Sequence, residues 1–321
     1  MKAAVIHKNG PPENLKYEDV PDPTIDENSV LVRNQVISIE GGDTLHRIQT
    51  DFTSHPHIVG YQSAGEIIEV GANVDGYSVG QRVVTVMGAG SHAELRAVPA
   101  LTAFPIPDGL STEEAATIPI PFGTAHECLF EFGNLQAGQT VLVQAAASAV
   151  GLAAIQLAKR AGATVIATAS STEKLDAAKK LGMDHGINYL KEDVVTEVMR
   201  LTNNQGVNLV VDPVGGQTLQ KSIDSLAYRG RVCTMGRASR EEMTYDLSTL
   251  GAGNRSITGV FFGAEIITPR VQKLVRELIA DVAKGELKVV LDAKRFKLSQ
   301  AAEAHTYIES RAAIGRVLMI P

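Results

Sequence analysis

Along the first ~100 residues, apolar and polar positions alternate in short runs broken by turn residues, the signature of half-buried strands. The pattern predicts strands over Lys2–His7, Lys16–Val20, Ser29–Ile39, Ala64–Val70 and Gln81–Met87. Pro11-Pro12, Pro21-Asp-Pro23 and Gly71–Gly80 separate them, and Gly65, Gly71, Gly76 and Gly80 supply backbone freedom. A compact, barrel-like all-β unit is the expectation.

Near Ser111 the pattern changes. Ser111-Thr-Glu-Glu114 reads as a helix start, a hydroxyl cap with a glutamate three residues later. Strands are then predicted at Thr140–Gln144, Thr164–Thr168, Gly186–Asn188, Val207–Val211, Arg231–Met235 and Ser256–Phe262. Helices at Gly151–Ala161, Thr172–Leu181, Val194–Leu201 and around Leu219–Leu226 alternate with them. Continuously apolar strands alternating with helices imply an α/β fold, a parallel sheet covered on both faces. After Phe262 come a helix over Pro269–Lys284, a short strand at Lys288–Leu291, a helix over Gln300–Ser310 and a strand at Gly315–Met319. Their order does not extend the sheet, so they are expected to return to the first unit.

The length, 321 residues, suits two domains or one large domain with an insertion. With 44% apolar and 21% charged residues the chain is too apolar for disorder. Its 30 basic and 36 acidic residues give a formal charge of −6 with no long basic tract, which argues against nucleic acid as a partner. Two cysteines, Cys128 and Cys233, are too few for a disulfide framework or a four-cysteine zinc lobe. The apolar run Met1–Ile6 is too short for a signal peptide. Val141–Ala158 is interrupted by Gln144 and Gln156 and reads as a buried strand turning into a helix, not a membrane span. A soluble, cytoplasmic protein is expected.

The same segment carries the first chemistry. In Val141-Leu-Val-Gln-Ala-Ala-Ala-Ser-Ala-Val-Gly-Leu152 a strand, a tight turn of small residues and a helix follow one another. Such a turn lets backbone approach a dinucleotide pyrophosphate, with the helix N–H groups and dipole aimed at it. Ser148, Ala149, Val150 and Gly151 are the candidates. The turn lacks the usual glycines, so alone it fits other α/β proteins too. An acidic residue ending the second strand would hold the ribose 2′-hydroxyl of NAD. Here that strand ends Ala167-Thr-Ala-Ser170, and Glu173 comes only in the next turn. Ser170 offers a hydrogen bond and Lys174 a charge to a 2′-phosphate, which selects NADPH. A lysine at a helix start opposes the dipole, and a nearby phosphate would account for it; a merely solvated lysine is the alternative.

Several segments in order resemble the zinc-independent medium-chain dehydrogenase/reductases, the NADPH:quinone oxidoreductase (zeta-crystallin-like) family. They are Val70-Gly-Ala-Asn-Val74 with Val79-Gly-Gln-Arg-Val83, Gly90-Ser-His-Ala-Glu-Leu95 with Val98-Pro-Ala100, and Ala145–Gly151 with Leu152–Lys159. Gly162-Ala163, Val165–Thr168, Glu173-Lys174, Ile187-Asn-Tyr189, Val211-Asp-Pro-Val-Gly-Gly216 and Ser310-Arg-Ala312 continue it. The resemblance implies a GroES-like β-barrel-type catalytic domain over 1–119 and 263–321, and a Rossmann doubly wound parallel-sheet domain over 120–262 that binds NADPH. The nicotinamide would enter between the two. It places Lys174, Tyr189 and Arg311 at the 2′-phosphate and Thr124 near the nicotinamide; Gly236 is counted with the cofactor-binding candidates. It also implies a homodimer through the Rossmann edge strand Ser256–Phe262, and an apolar edge left bare is an aggregation hazard.

Zinc-dependent relatives place metal ligands in a Gly-His-Glu segment; the corresponding stretch here is Gly60-Tyr61-Gln62, and both cysteines fall elsewhere. His46, His55 and His57 are close in sequence but fit no strong ligand spacing, so no metal is expected. Hydride transfer to a quinone or other conjugated carbonyl acceptor follows, because such acceptors need no Lewis acid. Reduction of an alkenal, enone or enoyl thioester is the alternative. Candidate catalytic groups are Glu40, Asp43, Tyr61 and Thr124. Glu40, on a flexible turn with Gly41-Gly42, either donates a proton in a dry site or is solvated or capping local backbone. Tyr61 either donates to the developing oxyanion or packs at a strand end. Asp43 fits the family pattern, and either takes part in catalysis or orients the loop without touching substrate. Glu40, Leu45 and Ser148 depart from the family pattern and leave open a protein that binds NADPH without turnover.

Overall fold

The computed structural model of the chain describes residues 1–49, 56–242 and 244–321. They form two compact units, Met1–Ile120 with Gly263–Pro321, and Pro121–Phe262.

The second unit is a six-stranded parallel sheet: β1 (Thr140–Val143), β2 (Thr164–Ala169), β3 (His185–Asn188), β4 (Val207–Asp212), β5 (Leu226–Thr234) and β6 (Ser256–Gly259). Their order in the sheet is β3-β2-β1-β4-β5-β6, all pairs parallel. This is the doubly wound arrangement, reversing direction between β1 and β4, where ligands sit beyond the strand carboxyl ends. Val141, Leu142, Val143, Val165, Leu209, Val210 and Val211 are buried because helices cover both faces. The α/β class read from the sequence is thus observed. The edge strand is shorter than expected: it ends at Gly259, and Phe262 opens a short helix, Phe262–Glu265. The Phe262 ring packs so closely on Gly123 that a side chain there would lie 2.3 Å from it.

In the first unit a three-stranded sheet joins Lys2–Ile6 to Lys16–Asp19 and His57–Ile58. A larger sheet runs Leu291–Lys297, Arg316–Ile320, Ser29–Ser38, Gln62–Val70, Arg82–Val86 and Ala103–Pro105, with Leu95–Pro99 also paired to Ser29–Ser38. Gly65 serves close packing, not freedom: a Cβ there would meet the Arg33 carbonyl at 1.9 Å. Ser111 forms the expected capping box with Glu114, although its helix spans only Thr112–Ala115.

Two expectations are corrected here. The predicted strand Lys288–Leu291 instead runs Leu291–Lys297. It is polar and mostly exposed, and it forms because it pairs in parallel with Arg316–Ile320, which alternation within the segment cannot reveal. The segment after Glu40 is not a flexible turn but the helix Gly41–Gln49. Glycines at its start hid it, and the Asp43 carboxylate caps its first turn by accepting from the Glu40 N–H at 2.8 Å. Among the described residues no helix is long and apolar enough to cross a membrane.

Candidate functional site

In the second unit, β1 ends at a turn whose Ala145 has φ +52°, a conformation that favours glycine. Small size matters equally at Gly151, where a Cβ would stand 2.4 Å from the Ala145 carbonyl oxygen. Ser148 caps the helix Ala149–Arg160, its Oγ accepting from the Gly151 N–H at 3.0 Å. The hydroxyl proton of Ser148 stays available to donate, and the N–H groups of Ala149 and Val150 have no intrahelical acceptor. Ser148, Ala149 and Val150 therefore form one half-buried cradle of donors, suited to a pyrophosphate, while the Gly151 N–H is committed to the Ser148 cap.

Below it a polar chain ties the strand ends together. The Thr168 hydroxyl donates to Gln144 Oε1 at 2.6 Å, Gln144 Nε2 to Ser222 Oγ at 3.2 Å, and Ser222 Oγ to Asp212 Oδ2 at 3.0 Å. Asp212 Oδ1 accepts from the N–H groups of Val214 and Gly215 at 2.7 and 3.0 Å. Burial pushes the Asp212 carboxyl up against those donors. Sequence reasoning missed this chain; its signal was the polar residues Gln144 and Thr168 inside otherwise apolar strands. Gly236 lies alongside, where a Cβ would be 2.7 Å from the Pro213 carbonyl oxygen.

At the end of β2, Ser171 caps the helix Thr172–Lys179 by accepting from the Lys174 N–H. That geometry turns Lys174 back toward the strand end, with Nζ 3.3 Å from Ser170 Oγ. The Tyr189 N–H donates to the Ala169 carbonyl at 3.1 Å, bringing Tyr189 to the same strand end with 38% of its surface exposed. Glu173 is exposed in the first helical turn. Thr124 is buried in the helix Pro119–His126, an element that the prolines and glycine of its sequence concealed. Arg311 belongs to the other unit, exposed on a left-handed turn (φ +59°) after the helix Ala301–Glu309.

The first unit gathers Glu40, Asp43 and Tyr61. Glu40 is neither solvated nor on a mobile turn. It is 4% exposed, and its Oε2 lies 2.5 Å from Arg316 Nη2. Ser38 Oγ and Gln62 Nε2 also donate to Oε1, at 3.2 and 3.3 Å. Burial pushes its carboxyl up, and Arg316 opposes that shift. Arg316 went unseen because almost the whole chain separates it from Glu40. Asp43 is fully buried; Oδ1 accepts from the Tyr61 N–H at 3.0 Å. Burial, then the neighbouring Glu40, raise its pKa to about 8. The Tyr61 ring lies on Gly42, where a Cβ would be 2.4 Å from Cε2. Its hydroxyl makes no hydrogen bond among the described residues, and burial raises its pKa to about 12, so it stays a donor.

Gln62 is fully engaged: Nε2 donates to the Ala116 carbonyl at 2.6 Å and Oε1 accepts from the Ile120 N–H at 2.8 Å. His46 sits on the helix Gly41–Gln49, with its ring edge-on to His57 at 5.2 Å between centroids. His55 lies outside the described residues. Among the described residues no three His, Cys, Asp or Glu side chains are grouped to hold a metal.

Comparison with known proteins gives two family matches, the alcohol dehydrogenase GroES-like domain over residues 26–108 and zinc-binding dehydrogenase over 149–281. The chain is 33% identical to the 2-haloacrylate reductase of a Burkholderia species, covering 100% of this chain and 99% of that protein. It is also 33% identical to a quinone oxidoreductase of Pseudomonas aeruginosa, over 97% of each. Among solved structures, Escherichia coli quinone oxidoreductase complexed with NADPH superposes with a TM-score of 0.95 at 31% identity, over 100% of both chains.

Proposed function

The chain belongs to the medium-chain dehydrogenase/reductase family, among its quinone oxidoreductase-type members, and from that premise we propose that it is an NADPH-dependent reductase of quinones or other conjugated carbonyl acceptors that works without zinc. The observation that carries the cofactor choice is the end of β2, where Lys174 Nζ and Ser170 Oγ stand 3.3 Å apart. The cradle fits the group: the hydroxyl proton of Ser148 and the N–H groups of Ala149 and Val150, at the start of the helix Ala149–Arg160, are donors with no intrahelical acceptor. In this reading Ser148, Ala149, Val150 and Gly151 hold the pyrophosphate, and Ser170, Lys174, Tyr189 and Arg311 the 2′-phosphate. Thr124 lies near the nicotinamide, and Gly236 belongs to the cofactor-binding set. Residues 120–262 form the cofactor-binding domain, and 1–119 with 263–321 the catalytic one.

Bound NADPH supplies a hydride from C4 of its nicotinamide. With one proton from water, the acceptor leaves as a hydroquinone or a saturated carbonyl compound. The chain's own contribution is orientation and a hydrogen bond to the oxygen on which charge develops. Tyr61 is assigned that donor role, because its hydroxyl is protonated and makes no hydrogen bond among the described residues. Glu40 belongs to the scaffold through Arg316. Zinc-free chemistry is supported by Gln62, whose amide is committed to Ala116 and Ile120, and by Cys128 and Cys233, both buried in the other unit. Reduction of an activated alkene is the second reading, favoured by the likeness to a 2-haloacrylate reductase.

A homodimer through β6 is proposed as well; Tyr228, Leu247 and Phe261 are each more than half exposed. A reducing cytoplasm suits two buried free thiols. The test is NADPH and NADH oxidation by chelator-treated protein with phenanthrenequinone and cyclohexenone. Turnover with NADPH supports the reading, and the better acceptor decides between quinone and alkene. NADPH binding with neither acceptor reduced, or activity lost to the chelator, refutes it.

A further inference from the structure

Arg96, on the strand Leu95–Pro99, is 2% exposed. Among the described residues no carboxylate lies in ion-pair range of its guanidinium. Nη2 donates instead to the carbonyls of Tyr61 at 3.0 Å, Ala89 at 2.8 Å, Gly60 at 3.3 Å and Met87 at 3.5 Å. Nη1 reaches Thr85 Oγ1 at 3.0 Å, and the Thr85 carbonyl and Ser63 Oγ at 3.3 Å. Burying a charge against carbonyl dipoles is costly, and an apolar side chain of similar volume would fill such a space at lower cost. The arrangement needs a reason beyond stability.

The reason is what the contacts converge on. The Tyr61 peptide is gripped on both sides: its N–H by the buried Asp43 carboxylate at 3.0 Å, its carbonyl by the buried Arg96 guanidinium at 3.0 Å. Asp43 also caps the helix Gly41–Gln49, against whose Gly42 the Tyr61 ring lies. Backbone on both sides and the ring face are thus fixed, and only the hydroxyl is left to act. We infer that Arg96 and Asp43 are positioning residues that hold the Tyr61 hydroxyl in the orientation turnover requires. The inference rests on the proposed donor role of Tyr61 for its kinetic part only.

The test uses the full chain labelled with 3-fluorotyrosine; it has seven tyrosines, and the Tyr61 fluorine resonance is assigned by its loss in Tyr61→Phe. In Arg96→Met the Tyr61 line is expected to shift or split while the others hold, and in Arg96→Lys to broaden less. An unmoved Tyr61 line in a folded variant overturns the inference. If Arg96→Met does not fold, Arg96→Lys and Asp43→Asn are read the same way, and an unmoved line in both overturns it. With NADPH and phenanthrenequinone, kcat is expected to fall about tenfold in Arg96→Met, with KM for NADPH unchanged, a modest loss for a misplaced group. In the Tyr61→Phe background the same change should cost less than about twofold, since effects transmitted through one group are not additive. An equal loss in both backgrounds shows that Arg96 does not act through the hydroxyl and overturns the inference. Should Tyr61→Phe itself leave kcat untouched, the donor role fails, and the fluorine spectra alone decide the clamp.

Discussion

The buried pair Glu40–Arg316 allows a prediction whose size can be worked out. Arg316→Met removes the cation 2.5 Å from Glu40 Oε2 and leaves a carboxyl that is 4% exposed. Ser38 and Gln62 still donate to it, but no positive charge remains in contact. Breaking a buried pair typically costs about 3–5 kcal/mol. Here the cost has a ceiling, because the carboxyl can take up a proton instead. For a group with an ordinary value of 4.5, neutralisation costs about 3 kcal/mol at pH 7 and below about 1 kcal/mol at pH 5. Arg316→Met should therefore be strongly destabilised at pH 7 and much less so at pH 5. Glu40→Gln with Arg316→Met together should recover most of the loss at pH 7, since no charge stays buried. Urea titrations followed by far-ultraviolet circular dichroism at both pH values measure this. A loss independent of pH, or a double variant no better than the single, would refute the reasoning.

Three further outcomes follow. Lys174→Ala should weaken NADPH by about 1.5–3 kcal/mol, the worth of a charge-assisted hydrogen bond, and leave NADH nearly unchanged; calorimetric titration with both cofactors checks it, and equal losses would sink the 2′-phosphate assignment. Tyr61→Phe should lower kcat about tenfold or more, in the range of a lost oxyanion donor, without altering the NADPH Kd; unchanged turnover returns Tyr61 to packing. Buried His92 has its pKa pushed down to about 3 by burial, with the Arg96 charge adding to it. It binds a proton when unfolded but not when folded, so its contribution is full above pH 6.5 and is lost as pH falls. Asp43, raised to about 8, has the opposite sign: its contribution is full below pH 3.8 and is lost as pH rises. Each slope is at most about 1.4 kcal/mol per pH unit, so the two offset one another between about pH 4.5 and 6. Asp43→Asn should tilt the pH dependence there toward the His92 slope relative to the parent protein, the raised Glu40 carboxyl still opposing it, and thermal melts of both across pH 4.5–8 would show whether it does.

Most of the second unit was legible because its signals are local. Val141–Val143 and Val207–Val211 are apolar runs of strand length, and capping serines or an aspartate mark the helices after Ser148, Ser171 and Asp193. The Lys174–Ser170 contact could be anticipated for the same reason, since one helical turn joins the two residues. What escaped is what long-range pairing decides. The polar run Asp292–Lys297 is a strand only because Arg316–Ile320 lies beside it. Glu40 looks mobile next to two glycines until Arg316 arrives from the far end of the sequence. Arg96 falls in no predicted strand, although it lies on Leu95–Pro99, and the carbonyls it gathers at 60, 61, 85, 87 and 89 come from segments that alternation does not bring together.

The interrupted make-up of the first unit has a consequence for how the protein comes off the ribosome. Residues 121–262 are contiguous, whereas Met1–Ile120 must wait for Gly263–Pro321 to complete its sheet. At about 5–20 residues per second, translation of the intervening stretch takes on the order of ten seconds. Throughout that interval Ser29–Ser38 lacks the strand that pairs with it at Ile37 and Ser38, and Glu40 has no counter-ion. A carboxylate at the end of an open strand edge is a charge that discourages unwanted pairing by other nascent chains. Only when the last strand arrives is that charge neutralised, by Arg316.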